Sequence, residues 1–186
     1  MPRRLVVGVT GSSAPQLAIS LLNLLSDLST VEVHLVVSRG AERSIELELN
    51  MKRADVEALG DVVYEPDDMA AAISSGSFLV DGMVVMPCSM KTLAAVASGV
   101  SVDLIARAVD VNLKERRPVV LVPRETPLNL IHIRNMETVT LAGATVLPPV
   151  PAFYHQPKSV DDLLRQTAGK VLDQFGIEHD AFRRWR

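Results

Sequence analysis

A single cysteine, Cys88, in 186 residues excludes an internal disulfide, and nothing in the chain suggests secretion. Charge of one sign is missing as well. The net charge is −3 and the pI near 5.8, so there is no electrostatic footprint for nucleic acid. The local basic clusters, Lys114, Arg116 and Arg117 and then Arg183, Arg184 and Arg186, read as solvated faces. Long hydrophobic runs are absent. The longer uncharged stretches are broken by Asp81, Lys91 and Asp103 and are rich in glycine and serine, so none reads as a membrane span. Met1-Pro2-Arg3-Arg4 runs straight into a five-residue apolar segment, too short for a signal-peptide core and cleavage site. His34, His132, His155 and His179 are scattered, with no Cys or carboxylate at ligand spacing, so no zinc site is indicated. A soluble, cytoplasmic protein is expected. What remains is 48% hydrophobic and 22% charged, enough to bury a core and the right length for one α/β domain.

Strand and helix patterns alternate along the chain. Leu5–Val9, Val31–Val37, Val62–Tyr64, Val80–Met86, Val119–Val122 and Thr145–Leu147 are short apolar, β-branched runs of the kind that fill a buried parallel sheet. Helical periodicity covers about 16–28, 41–49, 92–98, 102–113, 128–138 and 161–175. A short turn of helix is expected at 55–59, and a further helix is expected to open at Asp67 and Asp68. Right-handed crossovers between such units build a doubly wound, mostly parallel sheet: an α/β, Rossmann-like or flavodoxin-like three-layer sandwich. The strand order stays open.

Ligands of such sheets gather beyond the carboxyl ends of the strands. Four segments fall there. Gly11-Ser12-Ser13 follows the first strand, where glycine lets a ligand approach and a helix N-terminus favours an anion; an ordinary serine-capped helix start reads equally well. Ser38 follows the second strand, and Ser89-Met90-Lys91-Thr92 follows the fourth, with Ser89 doubling as a candidate N-cap. Hydroxyls and amides from three loops on one rim point to a phosphate-bearing ligand. Pro123-Arg124-Glu125-Thr126-Pro127 follows the fifth strand. Arg124 there suits a phosphate or flavin oxygen and Glu125 a mobile proton, against the alternative of a surface ion pair. Arg107, Asp110 and Lys114 share one helical face, which by spacing alone reads as a surface ion ladder. Cys88 at a strand end reads as packing before it reads as a nucleophile.

Several separated motifs resemble the UbiX-type flavin prenyltransferases. They are Pro87-Cys88-Ser89-Met90-Lys91-Thr92-Leu93-Ala94, Arg107-Ala108-Val109-Asp110-Val111 with Leu113-Lys114-Glu115-Arg116-Arg117, the turn from Pro123 to Pro127, and Pro151-Ala152-Phe153-Tyr154. The likeness runs in order from the Gly11 loop to the last helix and Trp185. It implies that dimethylallyl phosphate, or the diphosphate, is joined to reduced FMN at N5 and C6. The product, prenylated FMN, serves UbiD-type decarboxylases. On matching positions, FMN is held by Gly11, Ser12, Ser13, Ser38, Ser89, Met90, Lys91, Thr92 and Arg124. The prenyl phosphate meets Arg107, Lys114, Tyr154 and Lys170. Ser13, Glu48, Lys114 and Glu125 take the catalytic positions.

The implied chemistry needs cations on a leaving phosphate and an acceptor, Glu125 or the phosphate, for the proton lost on ring closure. With so few aromatics, Tyr154 and Trp185 are the candidate lids. The resemblance also implies a homo-oligomer, a dodecamer, with sites near subunit boundaries. Residues 1–186 then form one flavin-binding domain whose final helix and tail, about 159–186, complete the active site or the oligomer interface. Three positions depart from the family pattern. Ala14 replaces a glycine, Val102-Asp103 replaces a polar pair carrying asparagine, and Lys170 stands where arginine is usual, keeping the charge but losing the bidentate fork. An FMN carrier without transferase activity and a flavin-dependent cysteine decarboxylase are the competing readings.

Overall fold

Alternating β-branched strands bury side chains on both faces only if helices cover both faces, and that is the architecture observed. In the computed structural model, which describes residues 2–185, six strands form one sheet in the order β3-β2-β1-β4-β5-β6. The strands are β1 (Arg3–Val9), β2 (Val31–Val37), β3 (Val62–Tyr64), β4 (Gly82–Cys88), β5 (Val119–Pro123) and β6 (Thr145–Val146). Every neighbouring pair is parallel. The order is the Rossmann one, and it reverses between β1 and β4.

The period-2 pattern sorts the core. Leu5, Val7 and Val9 of β1, with Val84 and Met86 of β4, face one way. They meet Leu17, Leu21, Leu22 and Leu25 of α1 (Gln16–Ser26) and Ala168, Val171 and Leu172 of α7 (Val160–Gln174). Val6, Met83, Val85, Val119 and Leu121 face the other way, onto Leu104, Ile105, Ala108 and Val109 of α5 (Leu104–Lys114). Leu93 of α4 (Met90–Ala97) and Val139 of α6 (Leu130–Leu141) complete that layer. Each fully buried Leu, Ile or Val contributes about 1.5–3 kcal/mol, so the sandwich is held chiefly by these two layers. α2 (Arg39–Leu49) and the short α3 (Arg53–Glu57) follow β2 and precede β3.

Two expectations need correction. No helix opens at Asp67-Asp68. Asp68 Oδ1 accepts from the Ala70 amide (3.0 Å), and that local bond competes with helix geometry. Only a 3₁₀ turn, Ala72–Ser74, forms before the Ser74-Ser75-Gly76-Ser77 run. The fourth strand lies two residues later than Val80–Met86, because Asp81 is used as a side chain. Its Oδ2 accepts from the Arg4 amide (2.8 Å), and the strand then continues through Pro87 to Cys88 across a register shift. That later end sets where Ser89 and Lys91 emerge. No helix among the described residues is long and apolar enough to cross a membrane.

Candidate active site

At the reversal between β1 and β4, the connections leave in opposite directions and open a crevice at the carboxyl ends of the strands. Its volume is about 520 Å³, within the range of small-molecule sites. Thr10, Gly11, Ser12, Ser13, Ser38, Arg39, Ser89, Met90, Lys91, Thr92, Arg124 and Glu125 are in its wall. All nine residues expected to hold a cofactor therefore share one cavity, and Glu125 joins them. Glu48 reaches its edge, accepting from Ser13 Oγ (3.1 Å) and the Ala14 amide (2.9 Å).

The walls are built by a few polar ties. Thr10 is 2% exposed and stitches β1 to β4. Its hydroxyl donates to the Pro87 carbonyl (2.8 Å) and accepts from the Ser89 amide (2.7 Å). Ser12 Oγ donates to the Arg124 carbonyl (2.9 Å), fastening the first loop to the Pro123–Pro127 turn. Gly11 must be glycine because a Cβ there would lie 2.7 Å from the Gly40 carbonyl carbon. Sequence reasoning assigned that space to a ligand; the chain itself occupies it.

Four helices point their N-termini at the crevice. Ser38 caps α2 through the Ala41 amide (3.1 Å), Ser89 caps α4 through Thr92 (3.2 Å) and Asp103 caps α5 through Ala106 (2.8 Å). α1 starts at Pro15 with no side-chain cap, so Ser12 and Ser13 are not the ordinary cap allowed for them. The Leu17 and Ala18 amides bond back to the Ala14 and Pro15 carbonyls (3.1 and 2.9 Å), so what this end offers an anion is its dipole, and four helix ends each bring roughly half a positive charge. Arg39 is neutralised by Asp67 through its Nε (3.0 Å) and Nη2. Among the described residues, Lys91, Arg124 and Glu125 make no ion pair, so the surface-pair reading of Arg124-Glu125 falls away. Thr10, Arg39, Gly40, Pro66 and Asp67 are lining residues that the sequence did not single out for this wall, whereas Val102 and Asp103, noted there as departures from the family pattern, do line it. Position at a strand's carboxyl end was signal enough for Thr10 and Arg39. Nothing local marked Pro66-Asp67.

Ala14 sits at φ 68°, in the left-handed region that glycine favours, held there by Glu48. Relief of a cost of about 1–2 kcal/mol, less about 0.4–1 kcal/mol of extra unfolded-chain entropy, makes Ala14→Gly stabilising by up to about 1.6 kcal/mol. A denaturant midpoint that moves downward instead would show that the loop carries no such strain.

Four other expected site residues lie elsewhere on the same chain. Arg107 Nε donates to the Ser74 carbonyl (3.1 Å) and Nη1 to Asp110 (2.7 Å). Lys114 pairs with Glu115 beside Gly76, at the end of α5 that leads into the start of β5. Tyr154 and Lys170 gather at the outer side of α7. The end of that helix lies by the starts of β1 and β4, where Arg3 Nη1 donates to the Phe175 carbonyl (2.8 Å) and the Phe175 ring abuts Gly82. One chain therefore carries the cofactor wall at one rim, with Lys114 and Lys170 towards the opposite ends of α5 and α7, while Arg107 stands one turn along α5 from the wall residue Asp103. Cys88 is fully buried and burial pushes its thiol up to about 12, so it packs and is no nucleophile.

The Flavoprotein family model matches residues 1–171. The flavin prenyltransferase UbiX of Escherichia coli strain K12 is 48% identical over 186 residues, covering 99% of this chain and 98% of its own. The chain belongs to the UbiX-type flavin prenyltransferase family. Within that family, a crystal structure of AnUbiX (PadA1) in complex with FMN and dimethylallyl pyrophosphate superposes with a TM-score of 0.97 at 52% identity, covering 100% of this chain and 98% of that one. A dodecameric FMN-dependent UbiX-like decarboxylase from Escherichia coli O157:H7 superposes with a TM-score of 0.96 at 50% identity, covering 98% and 99%.

Proposed function

We propose that this protein is a flavin prenyltransferase, joining dimethylallyl phosphate to reduced FMN to give prenylated FMN. The observation that carries the reading is the crevice. Four helix N-termini, Lys91 and Arg124, both without an ion pair among the described residues, and the acidic Glu125 converge there, in a chain half identical to enzymes of that activity. This lining fits FMN. A phosphate monoester suits the uncapped start of α1 and its serine-rich loop, and Arg124 suits a flavin oxygen. Bound in reduced form, FMN supplies the electron-rich N5 and C6 that receive the prenyl group.

The chain's own groups do the rest. Gly11, Ser12, Ser13, Ser38, Ser89, Met90, Lys91 and Thr92 hold and orient FMN. Glu48 fixes Ser13 through its hydroxyl. Glu125 takes up the proton that ring closure releases. Arg107, Lys114, Tyr154 and Lys170 bind the prenyl phosphate, and their cationic and hydroxyl donors stabilise charge growing on the leaving oxygen. Since Lys114, Tyr154 and Lys170 lie away from the crevice of their own chain, the set serves the crevice of a neighbouring copy in a homo-oligomer, a dodecamer like the UbiX-like protein it superposes on. The final helix and tail, about 159–186, belong to that shared half of the site. The product passes to a UbiD-type decarboxylase, and the work is done in the cytoplasm.

Incubating the protein anaerobically with reduced FMN and dimethylallyl phosphate, or the diphosphate, should release a flavin heavier by one prenyl group. Bound FMN recovered unmodified with both donors would instead mark a carrier.

A further inference from the structure

We propose that Asp173 is the positioning residue for the donor-binding half of the site, setting Lys170 directly and Tyr154 through the tail. The inference rests on the prenyltransferase reading, which gives Lys170 and Tyr154 their task. One carboxylate, 17% exposed, gathers three groups. Lys170 Nζ, one turn earlier, lies 3.2 Å from Oδ2. Arg184 reaches both oxygens, Nη1 to Oδ2 at 3.1 Å and Nη2 to Oδ1 at 2.7 Å. His179 Nε2 lies 3.1 Å from Oδ1. The His179 ring is oriented for this, since its Nδ1 accepts the Ala181 amide (3.2 Å) and leaves the proton on Nε2. Burial pulls the Asp173 carboxyl upward, yet hydrogen bonds from Arg184, Lys170 and His179 hold it down at about 2. It is therefore ionised at any pH at which the enzyme would be assayed.

A second, independent feature shows that the tail has a seat. Gly169 lies inside α7, where glycine costs roughly 1 kcal/mol of helix stability. A Cβ at that position would fall 2.7 Å from His179 Cε1 and 2.8 Å from Phe182 Cδ1. The missing side chain is the space into which the tail docks. Arg184 lies over the Phe182 ring, 5.4 Å to its centroid. The next residue, Trp185, meets Tyr154 edge-on at 5.8 Å, and His155 packs on Tyr154 at 5.6 Å. The path from Asp173 to Tyr154 is thus Arg184, Trp185, Tyr154, and each link is a packed contact or a chain bond.

Tying Lys170 and Tyr154 matters because lysine is a flexible point charge. An ammonium already fixed by one carboxylate loses less rotamer freedom when it grips phosphate, and two of its three N–H groups stay free. The Asp173, Lys170 and Arg184 group keeps a net positive charge, so holding Lys170 does not cancel its pull on an anion.

Trp185 is the only tryptophan of the chain, so its fluorescence reports the tail directly. Trp185 is 79% exposed, so its wavelength is already that of a hydrated indole and its anisotropy is the measure of docking. Asp173→Asn and, by crowding rather than charge, Gly169→Ala are each expected to lower that anisotropy. Each should raise the KM for dimethylallyl phosphate about tenfold and leave FMN affinity within about twofold. Arg184→Met, at an exposed side chain, gives the same pattern if Asp173→Asn does not fold. An unchanged donor KM in a variant whose tryptophan anisotropy has fallen overturns the proposal. So does parallel loss of FMN and donor binding, which would make Asp173 a general stabiliser. Wild-type protein that leaves FMN unmodified sinks the prenyltransferase reading first, and this inference with it. An active wild type with donor KM unmoved in all variants sinks this inference alone.

Discussion

Glu125→Gln is expected to bind FMN normally and to turn over about 10²–10⁴-fold more slowly, the range a positioned proton acceptor contributes. The substitution is close to isosteric and keeps an oxygen able to accept from the Thr126 amide, which Glu125 Oε1 now does at 3.0 Å. The Pro123–Pro127 turn therefore keeps its local bond. The turn's other anchors do not involve the carboxylate: the Ser12 hydroxyl meets the Arg124 carbonyl, and the Arg124 amide meets the Cys88 carbonyl at 3.3 Å. No cation among the described residues pairs with Glu125, so no buried charge is stranded by its loss. Only the capacity to take a proton is removed. The checks are FMN titration and single-turnover formation of prenylated flavin, read by mass. Equal losses in binding and turnover would make Glu125 a structural part of the crevice; no loss at all would leave the released phosphate as the proton acceptor.

Much of this site was legible because parallel topology does geometry for the reader. Once Leu5–Val9, Val31–Val37, Val80–Met86 and Val119–Val122 are taken as parallel strands, the residues after each one must share a rim. That is why Gly11, Ser38, Ser89 and Arg124 could be grouped before any coordinates. Strand order was not legible, since right-handed crossovers fit several arrangements; the observed order places the crevice between β1 and β4 in particular. Glu48 came only from family likeness, because its tie to Ser13 spans 35 residues and no local pattern carries it. Ala14 was seen as a departure, and the structure adds that its backbone stays in the glycine-like conformation. Asp67 misled because an acidic pair after a proline looks like a helix start; its side chain instead neutralises Arg39 across the crevice. The helical face of Arg107, Asp110 and Lys114 is a ladder only in part, since Arg107 pairs with Asp110 while Lys114 pairs with Glu115, and a periodicity cannot say whether a face serves its own chain or a neighbour.

That last point yields the other large effect. Arg124→Ala and Lys114→Ala should each abolish most activity, the second by about 10²–10³-fold through lost stabilisation of the leaving phosphate. Refolded or co-expressed together, the two inactive proteins should regain activity, with about a quarter of sites receiving an intact crevice from one subunit and an intact Lys114 from another in a random one-to-one assembly. The expectation rests on the chain's own geometry. Arg124 follows β5, whereas Lys114 precedes it, at the far end of an α5 that spans roughly 16 Å at 1.5 Å per residue. Lys114 also spends its charge on Glu115 within its own chain, a contact between exposed groups that a phosphate dianion can outcompete. Mixed oligomers that stay inactive, although each parent variant assembles, would mean that Lys114 serves no neighbouring crevice. The leaving group would then have to be stabilised without Lys114, by Arg107, Tyr154 and Lys170 and by the crevice's own Lys91 and helix N-termini.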